Sequence, residues 1–265
     1  MSAIARAIVR PPSATFASGL TTAGLGAPDL DLARRQHEAY CAALADAGVD
    51  LIVLPPDDRY PDSTFVEDTA VVTSRGVVIT RPGAPSRAGE TEAITEVFAR
   101  LGASFATIEP PGTVDGGDIC QVGERFLLGR SARTDADGAA QLAAHLATWG
   151  FRAEELEVPP GPLLHLKSGL SWLGDRRVAA VASIVDHPAL LDLEPVLVPD
   201  EEAYAANCIR VNDVVIVPSG FPRTDAALRA AGLRPVAVDV SEFRKMDGGV
   251  SCLSLRLPSG LPTVP

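Results

Sequence analysis

Four short segments place polar or reactive side chains where the surrounding apolar pattern would otherwise run on. They are Pro61 to Asp68, carrying Asp62, Glu67 and Asp68; Val114 to Asp118, carrying Asp115 and Asp118; Leu163 to Ser168, carrying His165 and Lys167; and Asp247 to Cys252. Singly, each has a plain structural reading. Asp115-Gly116-Gly117-Asp118 is a tight turn, His165 between leucines is a core histidine, and Cys252 is a small buried hydrophobe. Together they supply a thiol nucleophile, a histidine to move protons and several carboxylates, with neither a phosphate-binding loop nor zinc-ligand spacing. Carboxylates around a thiol raise its pKa and disfavour the thiolate, a conflict that a cationic substrate removes. A guanidinium suits the pattern because it is planar, always charged and able to give paired hydrogen bonds to carboxylates, and its carbon is open to a sulfur nucleophile. On this reading Asp62, Asp68 and Asp115 keep the free Cys252 thiol protonated until substrate arrives.

The elements that must position these segments repeat one plan. Gly48, Gly102, Gly150 and Gly232 each follow a helical stretch and precede an apolar run, as glycine does where a helix ends in the left-handed conformation. The spacing of about fifty residues, with a wider gap before the last glycine, predicts five modules of strand pair, helix and strand. The first has a strand through Ala7-Ile8-Val9, a loose run from Pro12 to Pro28 with the length of a lid, a helix carrying Leu32, Tyr40 and Leu44, and a buried strand Leu51 to Leu54. The second has strands at Ala70 to Val72 and Val77 to Ile79 and a helix with Ile94, Val97, Phe98 and Leu101 on one face. The third has Phe126-Leu127-Leu128 and a helix with Leu142, Leu146 and Trp149. The fourth has Leu170 to Leu173, Val178 to Val181, a short helix starting near Asp186 and Pro188, and the strand Pro195 to Val198. The fifth pairs Cys208 to Val211 with Val214 to Val217 across the turn Asn212-Asp213, followed by a helix from Thr224 and a strand from Pro235 to Val240. A final strand, Cys252 to Leu257, returns to the first module and closes a ring. The four polar segments, at strand starts in modules two to five, then gather at one end of it.

A 265-residue chain with 46% hydrophobic content can bury a large core, and nothing in it reads as a linker, so one domain over residues 1–265 is expected. The net charge of −11 opposes binding to nucleic acid and permits a cationic ligand. Arg6 and Arg10 interrupt any leader-like apolar run, and no stretch has membrane-spanning length. Cys41, Cys120, Cys208 and Cys252 show no paired or CxxC spacing, which suits free thiols in a reducing, cytoplasmic compartment. His37, His145 and His187 fall on helices or a turn and read as structural. Lys167 and Lys245 are the only lysines among 23 basic residues, and both fall in segments expected to line the site.

Phe65-Val66-Glu67-Asp68, Thr80 to Arg87, Asp115 to Asp118, Ser131-Ala132-Arg133-Thr134, Leu164 to Lys167, Ala205 to Cys208 and Asp247 to Cys252 together resemble the dimethylarginine dimethylaminohydrolases, in order and over nearly the whole chain. The resemblance implies a five-bladed α/β-propeller of the guanidine-modifying (pentein) superfamily and hydrolysis of Nω-methylated arginines to citrulline and an amine, through a covalent cysteine thiouronium. It implies neither cofactor nor metal, a small-molecule substrate, no nucleic-acid or membrane partner, and is compatible with a homodimer. Carried onto this chain, it makes Cys252 the nucleophile and His165 the general acid and base, with Asp115 also catalytic. Asp62, Asp68 and Asp115 would hold the guanidinium nitrogens, supported by Glu67 and Phe65, while Arg87 and Arg133 would bind the substrate α-carboxylate. Leu20 on the lid and the carbonyl of Met246 would meet the α-amino end. Arg81, closer to its strand, is structural. The nearest rival is an arginine deiminase; similar deiminases carry Asp two residues after the histidine, where this chain has Lys167, and an added helical domain. A non-catalytic propeller, as in related ribosome anti-association factors, would need neither Cys252 nor His165.

Overall fold

Gly48, Gly102, Gly150 and Gly232 have φ of 82°, 65°, 76° and 75°, so each ends its helix in the left-handed region and turns the chain into an outer strand, as the repeat predicts. The computed structural model describes residues 3–158 and 163–261. Its strands form five three-stranded sheets. In each, the first two strands are antiparallel and the third, reached through the helix, lies parallel to the second. Module two contains β3 (Ala70–Val72), β4 (Val77–Ile79) and β5 (Phe105–Thr107); module three, β6 (Ile119–Val122), β7 (Arg125–Arg130) and β8 (Arg152–Glu157). Module four contains β9 (Leu170–Gly174), β10 (Arg177–Val181) and β11 (Glu194–Val198); module five, β12 (Ile209–Val211), β13 (Val214–Pro218) and β14 (Pro235–Val238). Module one is built from both ends of the chain: β15 (Leu255–Pro258) pairs antiparallel with β1 (Ile4–Val9), which pairs parallel with β2 (Asp50–Val53).

The pleat of β1 closes the ring. Ala7 and Val9 join a core cluster with Val214 and Ile216 of module five, while Ile8 between them joins Val77 and Ile79 of module two, because successive side chains point to opposite faces. Asn212, in the β12–β13 turn at φ 52°, reinforces the seam by accepting the Ile4 N–H at 2.9 Å and donating to the Ile4 and Ala47 carbonyls. Middle strands are covered on both faces and read as unbroken apolar runs; Val77, Val78 and Ile79 are all buried.

Three expectations need correction. The strand expected to be buried over Leu51 to Leu54 spans Asp50–Val53, and although Leu54 is buried, Val53 is 58% exposed, because third strands form the outer edge of their sheets. The short helix of module four starts at Ala182, not near Asp186, and spans Ala182–Val185; Pro188 opens a separate 3-10 turn, Pro188–Leu190. Cys252 lies in the 3-10 turn Ser251–Leu253 ahead of β15, so the Asp247 to Cys252 segment serves module one rather than module five. The helices α1 (Leu30–Asp46), α2 (Thr91–Arg100) and α3 (Ala136–Thr148), and the module-five helix Pro222–Ala230, fall where periodicity puts them. Asp29 and Asp135 cap the first and third of these, accepting from the Leu32 and Gly138 N–H groups.

Candidate active site

One 3-10 turn precedes the first strand of every module: Val66–Thr69, Gly116–Asp118, Leu166–Ser168, Asp200–Ala206 and Ser251–Leu253. These turns touch one another around the ring. Asn207 closes it, accepting the Ser251 N–H at 2.8 Å and donating to the Ser251 hydroxyl and the Lys167 carbonyl at 3.0 Å. The turns and their caps carry Asp68, Asp115, His165 and Cys252, so the expected gathering of the four segments is present. Glycine makes the approach close enough. A Cβ on Gly117 would meet His165 Nδ1 at 2.8 Å and Asp68 Oδ1 at 2.9 Å, and one on Gly248 would collide with the Phe65 ring.

Asp115 is fully buried and both its oxygens are engaged, Oδ1 by the Gly83 N–H at 2.8 Å and Oδ2 by His165 Nε2 at 2.9 Å. It therefore orients His165, while each oxygen keeps a further lone pair. Burial works against charge on both partners. On His165 it is outweighed by Asp68, the Asp115 bond and Asp118, which hold the ring up at about 9; on Asp115 the histidine outweighs it and keeps the carboxyl below its usual range.

Asp68 stands beside the histidine, Oδ1 accepting the Gly117 N–H at 2.8 Å and Oδ2 accepting Arg87 Nη1 at 2.6 Å. Arg87 is not the free cation that a substrate carboxylate needs. It is 5% exposed, and its other nitrogens bond Glu90 at 2.7 to 3.1 Å and the Phe65 carbonyl at 3.0 Å. Burial pushes Glu90 up, to about 7, against the pull of Arg87. Arg133, half-buried, has no ion-pair partner among the described residues and acts on Asp62. Arg81 bonds the Pro111 and Gly112 carbonyls, as a structural residue does.

Cys252 is 9% exposed and its Sγ accepts from the Gly249 N–H at 3.4 Å. Burial, then Glu67 and Asp68, push the thiol up to about 12. The free thiol is thus protonated as expected, but burial leads and Glu67 replaces Asp62 and Asp115 among the main causes. Glu67 turns away from Asp68 to meet Lys167 Nζ at 2.6 Å, Arg256 Nη2 at 2.7 Å and the Ser251 hydroxyl at 2.6 Å. Burial opposes its charge, but Lys167 and Arg256 hold its carboxyl below the usual range. This network borders a separate cavity of about 500 Å³ among the first strands, lined by Cys120, Ser171, Cys208 and Arg256 but not by Cys252 or His165.

The Pro12 to Pro28 run is pinned over the site. Phe16, fully buried, packs against the rings of Phe65 and Phe243 at 6.1 and 5.5 Å. Beyond it the Leu20 N–H reaches both oxygens of Asp62 at 3.1 and 3.2 Å, the Thr21 hydroxyl bonds the Lys245 carbonyl at 2.7 Å, and Thr22 bonds the Asp247 carboxylate. Burial pushes Asp62 above the usual carboxylate range despite Arg87 and the Leu20 N–H. Its bond to Leu20 ties Asp62 to this run. Met246, 3% exposed, lies under Gly19, and Lys245 pairs with Glu242 at 2.7 Å.

Glu90, Asn207 and Ser251 have site contacts that their sequence context does not single out. Asp118 accepts the Leu166 N–H at 3.0 Å and the Ser131 and Thr134 hydroxyls at 2.6 and 2.7 Å, joining the histidine turn to the Arg133 loop; its place three residues after Asp115 was the available signal. Asp68, Asp115 and His165 offer ligand atoms within 4.8 Å of one another, and the bonds above pair the first with Arg87 and the other two with each other.

The family model described as Arginine deiminase matches residues 57–186, which include the carboxylate and histidine segments and exclude Cys252. The N(G),N(G)-dimethylarginine dimethylaminohydrolase of Pseudomonas aeruginosa is 48% identical over 250 residues, covering 94% of this chain and 98% of that protein. The chain belongs to the dimethylarginine dimethylaminohydrolase family. The family member of Streptomyces coelicolor is 39% identical, covering 95% of this chain and 96% of that protein. A crystal structure of the P. aeruginosa enzyme, a cysteine-to-serine variant complexed with citrulline, superposes with TM-score 0.93 at 46% identity and covers 96% of this chain and all of that one. Membership in the dimethylarginine dimethylaminohydrolase family accords with the five-bladed α/β-propeller and with the order of the motif segments along it.

Proposed function

We propose that this protein hydrolyses Nω-methylated arginines, asymmetric dimethylarginine and monomethylarginine, to citrulline and dimethylamine or methylamine. The observation that carries this reading is the convergence of Cys252, Asp68 and the Asp115–His165 pair on adjoining turns. Asp68 accepts the substrate guanidinium through lone pairs left by Gly117 and Arg87. The cation offsets the carboxylates that oppose ionisation of Cys252, the thiol releases its proton to solvent, and the thiolate adds to the guanidinium carbon. His165, charged at neutral pH, gives its proton to the departing amine, which leaves a thiouronium on sulfur. The neutral ring then takes a proton from water as that water attacks the same carbon, and collapse expels the Cys252 thiolate, which takes up the remaining hydroxyl proton as citrulline departs.

At the other end of the substrate, Arg133 meets the α-carboxylate, while Asp62 and the backbone at Leu20 and Met246 meet the α-amino group. Arg87 serves chiefly to fix Asp68. Lys167, paired with Glu67, stands where similar deiminases carry Asp, which supports a substituted guanidinium over arginine. Four free cysteines support a reducing, cytoplasmic setting, and among the described residues no helix is long and apolar enough to cross a membrane. The single catalytic domain over residues 1–265 and a homodimer complete the proposal; sedimentation equilibrium decides the latter. Cys252→Ser tests the chemistry: the folded variant should release no citrulline, and an active one overturns the reading.

A further inference from the structure

Glu90 ends the 3-10 turn Pro85–Glu90 and is 2% exposed. Its carboxylate takes Arg87 Nε at 3.1 Å on each oxygen and Nη2 at 2.7 Å on Oε2. On the other edge of the same guanidinium, Nη1 bonds Asp68 Oδ2 at 2.6 Å. One buried cation is therefore shared by two buried carboxylates. Asp68 and Arg87 alone would form a neutral pair, and a neutral pair has little to offer an incoming cation. With Glu90 the trio carries a net charge of −1, in surroundings where burial leaves it poorly screened.

The geometry points to Glu90 as a positioning residue that holds Arg87 and neutralises it, so that Asp68 keeps its negative charge for the substrate guanidinium. The inference rests on the reading of Asp68 as the guanidinium-binding carboxylate. Glu90 touches no substrate; its effect passes through Arg87. Its signature is charge selectivity. Loss of the Glu90 charge should weaken a cationic ligand, while a neutral ligand of the same shape and α-amino and α-carboxylate groups should be unaffected. Methylarginine and citrulline are such a pair.

The test is calorimetric titration of monomethylarginine and citrulline at pH 8, in a Cys252→Ser background that prevents turnover. Glu90→Gln keeps the side-chain length and one acceptor oxygen but removes the charge. Monomethylarginine affinity should fall on the order of tenfold, with citrulline within about twofold. An equal fall for both ligands marks a merely structural role and overturns the inference, as does no change for either. The double variant Glu90→Gln/Arg87→Gln removes one charge of each sign and leaves the site's net charge as it was. Its ratio of the two affinities should stay within about twofold of the background protein. A tenfold fall in that ratio contradicts the inference even where the single variant does not fold. The affinities of the background protein, measured first, test the substrate reading separately: a protein that binds neither ligand fails there, before Glu90 is at issue.

Discussion

Asp115 and His165 meet at 2.9 Å with the carboxylate wholly shut from solvent and its second oxygen held by the Gly83 N–H. A histidine so held stays charged up to about pH 9 and has one ring nitrogen fixed, so that the other handles the proton of the leaving group and of water. Asp115→Asn keeps the shape and removes the charge. It should lower the histidine pKa toward its ordinary value and reduce kcat by about 10²–10⁴-fold, the span of a lost general acid. Steady-state kinetics and titration of the ring by NMR check this; unchanged kcat with a lowered histidine pKa would separate the pair from catalysis.

The two arginines expected to bind the substrate carboxylate should behave differently. Arg133→Ala should raise KM by roughly 10–100-fold, matching the ~1.5–3 kcal/mol of a charge-assisted contact, with stability little changed. Arg87→Ala leaves Asp68 and Glu90 buried without their cation and should cost about 3–5 kcal/mol of stability. Denaturant midpoints measured beside KM distinguish the two, and equal behaviour would contradict the division.

Local chemistry was legible in the sequence where a residue type meets a backbone need. The helix-stopping glycines and the Asn212 turn appear as read. The five-module count followed from their spacing. Partners more distant in sequence were not legible. Glu67 reads like Asp68, yet adjacent positions in a tight turn diverge, one toward His165 and the other toward Lys167 and Arg256. Glu90 carries no signal in the sequence, because its meaning depends on which way Arg87 folds. The exposure of Val53 depends on its strand being outermost, and a single apolar run does not encode that order.

The pinned run over the site should open and close. Leu20, Thr21 and Thr22 are tied to Asp62, Lys245 and Asp247 rather than to a packed core, and Leu20 is 42% exposed. Hydrogen exchange over residues 17–27 should slow when citrulline is bound to Cys252→Ser, while Phe16 stays protected in both states. Equal exchange with and without ligand would remove the lid.

Cys252, pushed up to about 12 in the free protein, should ionise at lower pH when a cation sits on Asp68. The acid limb of kcat, which reports the complex, should then lie at lower pH than that of kcat/KM, which reports the free enzyme. A cationic haloamidine should alkylate Cys252 near pH 7 well beyond its intrinsic advantage over iodoacetamide. Coincident limbs, or a Cys252-dependent thiolate absorbance well below pH 7 without ligand, would mean that the nucleophile is pre-ionised.

Citrulline release measured side by side from asymmetric dimethylarginine, monomethylarginine and arginine tests the central claim most directly. The account predicts citrulline from both methylated substrates in step with dimethylamine or methylamine, much slower turnover of arginine, and none from Cys252→Ser. Arginine as the preferred substrate with ammonia released, or no citrulline from any of the three by the folded protein, would contradict it.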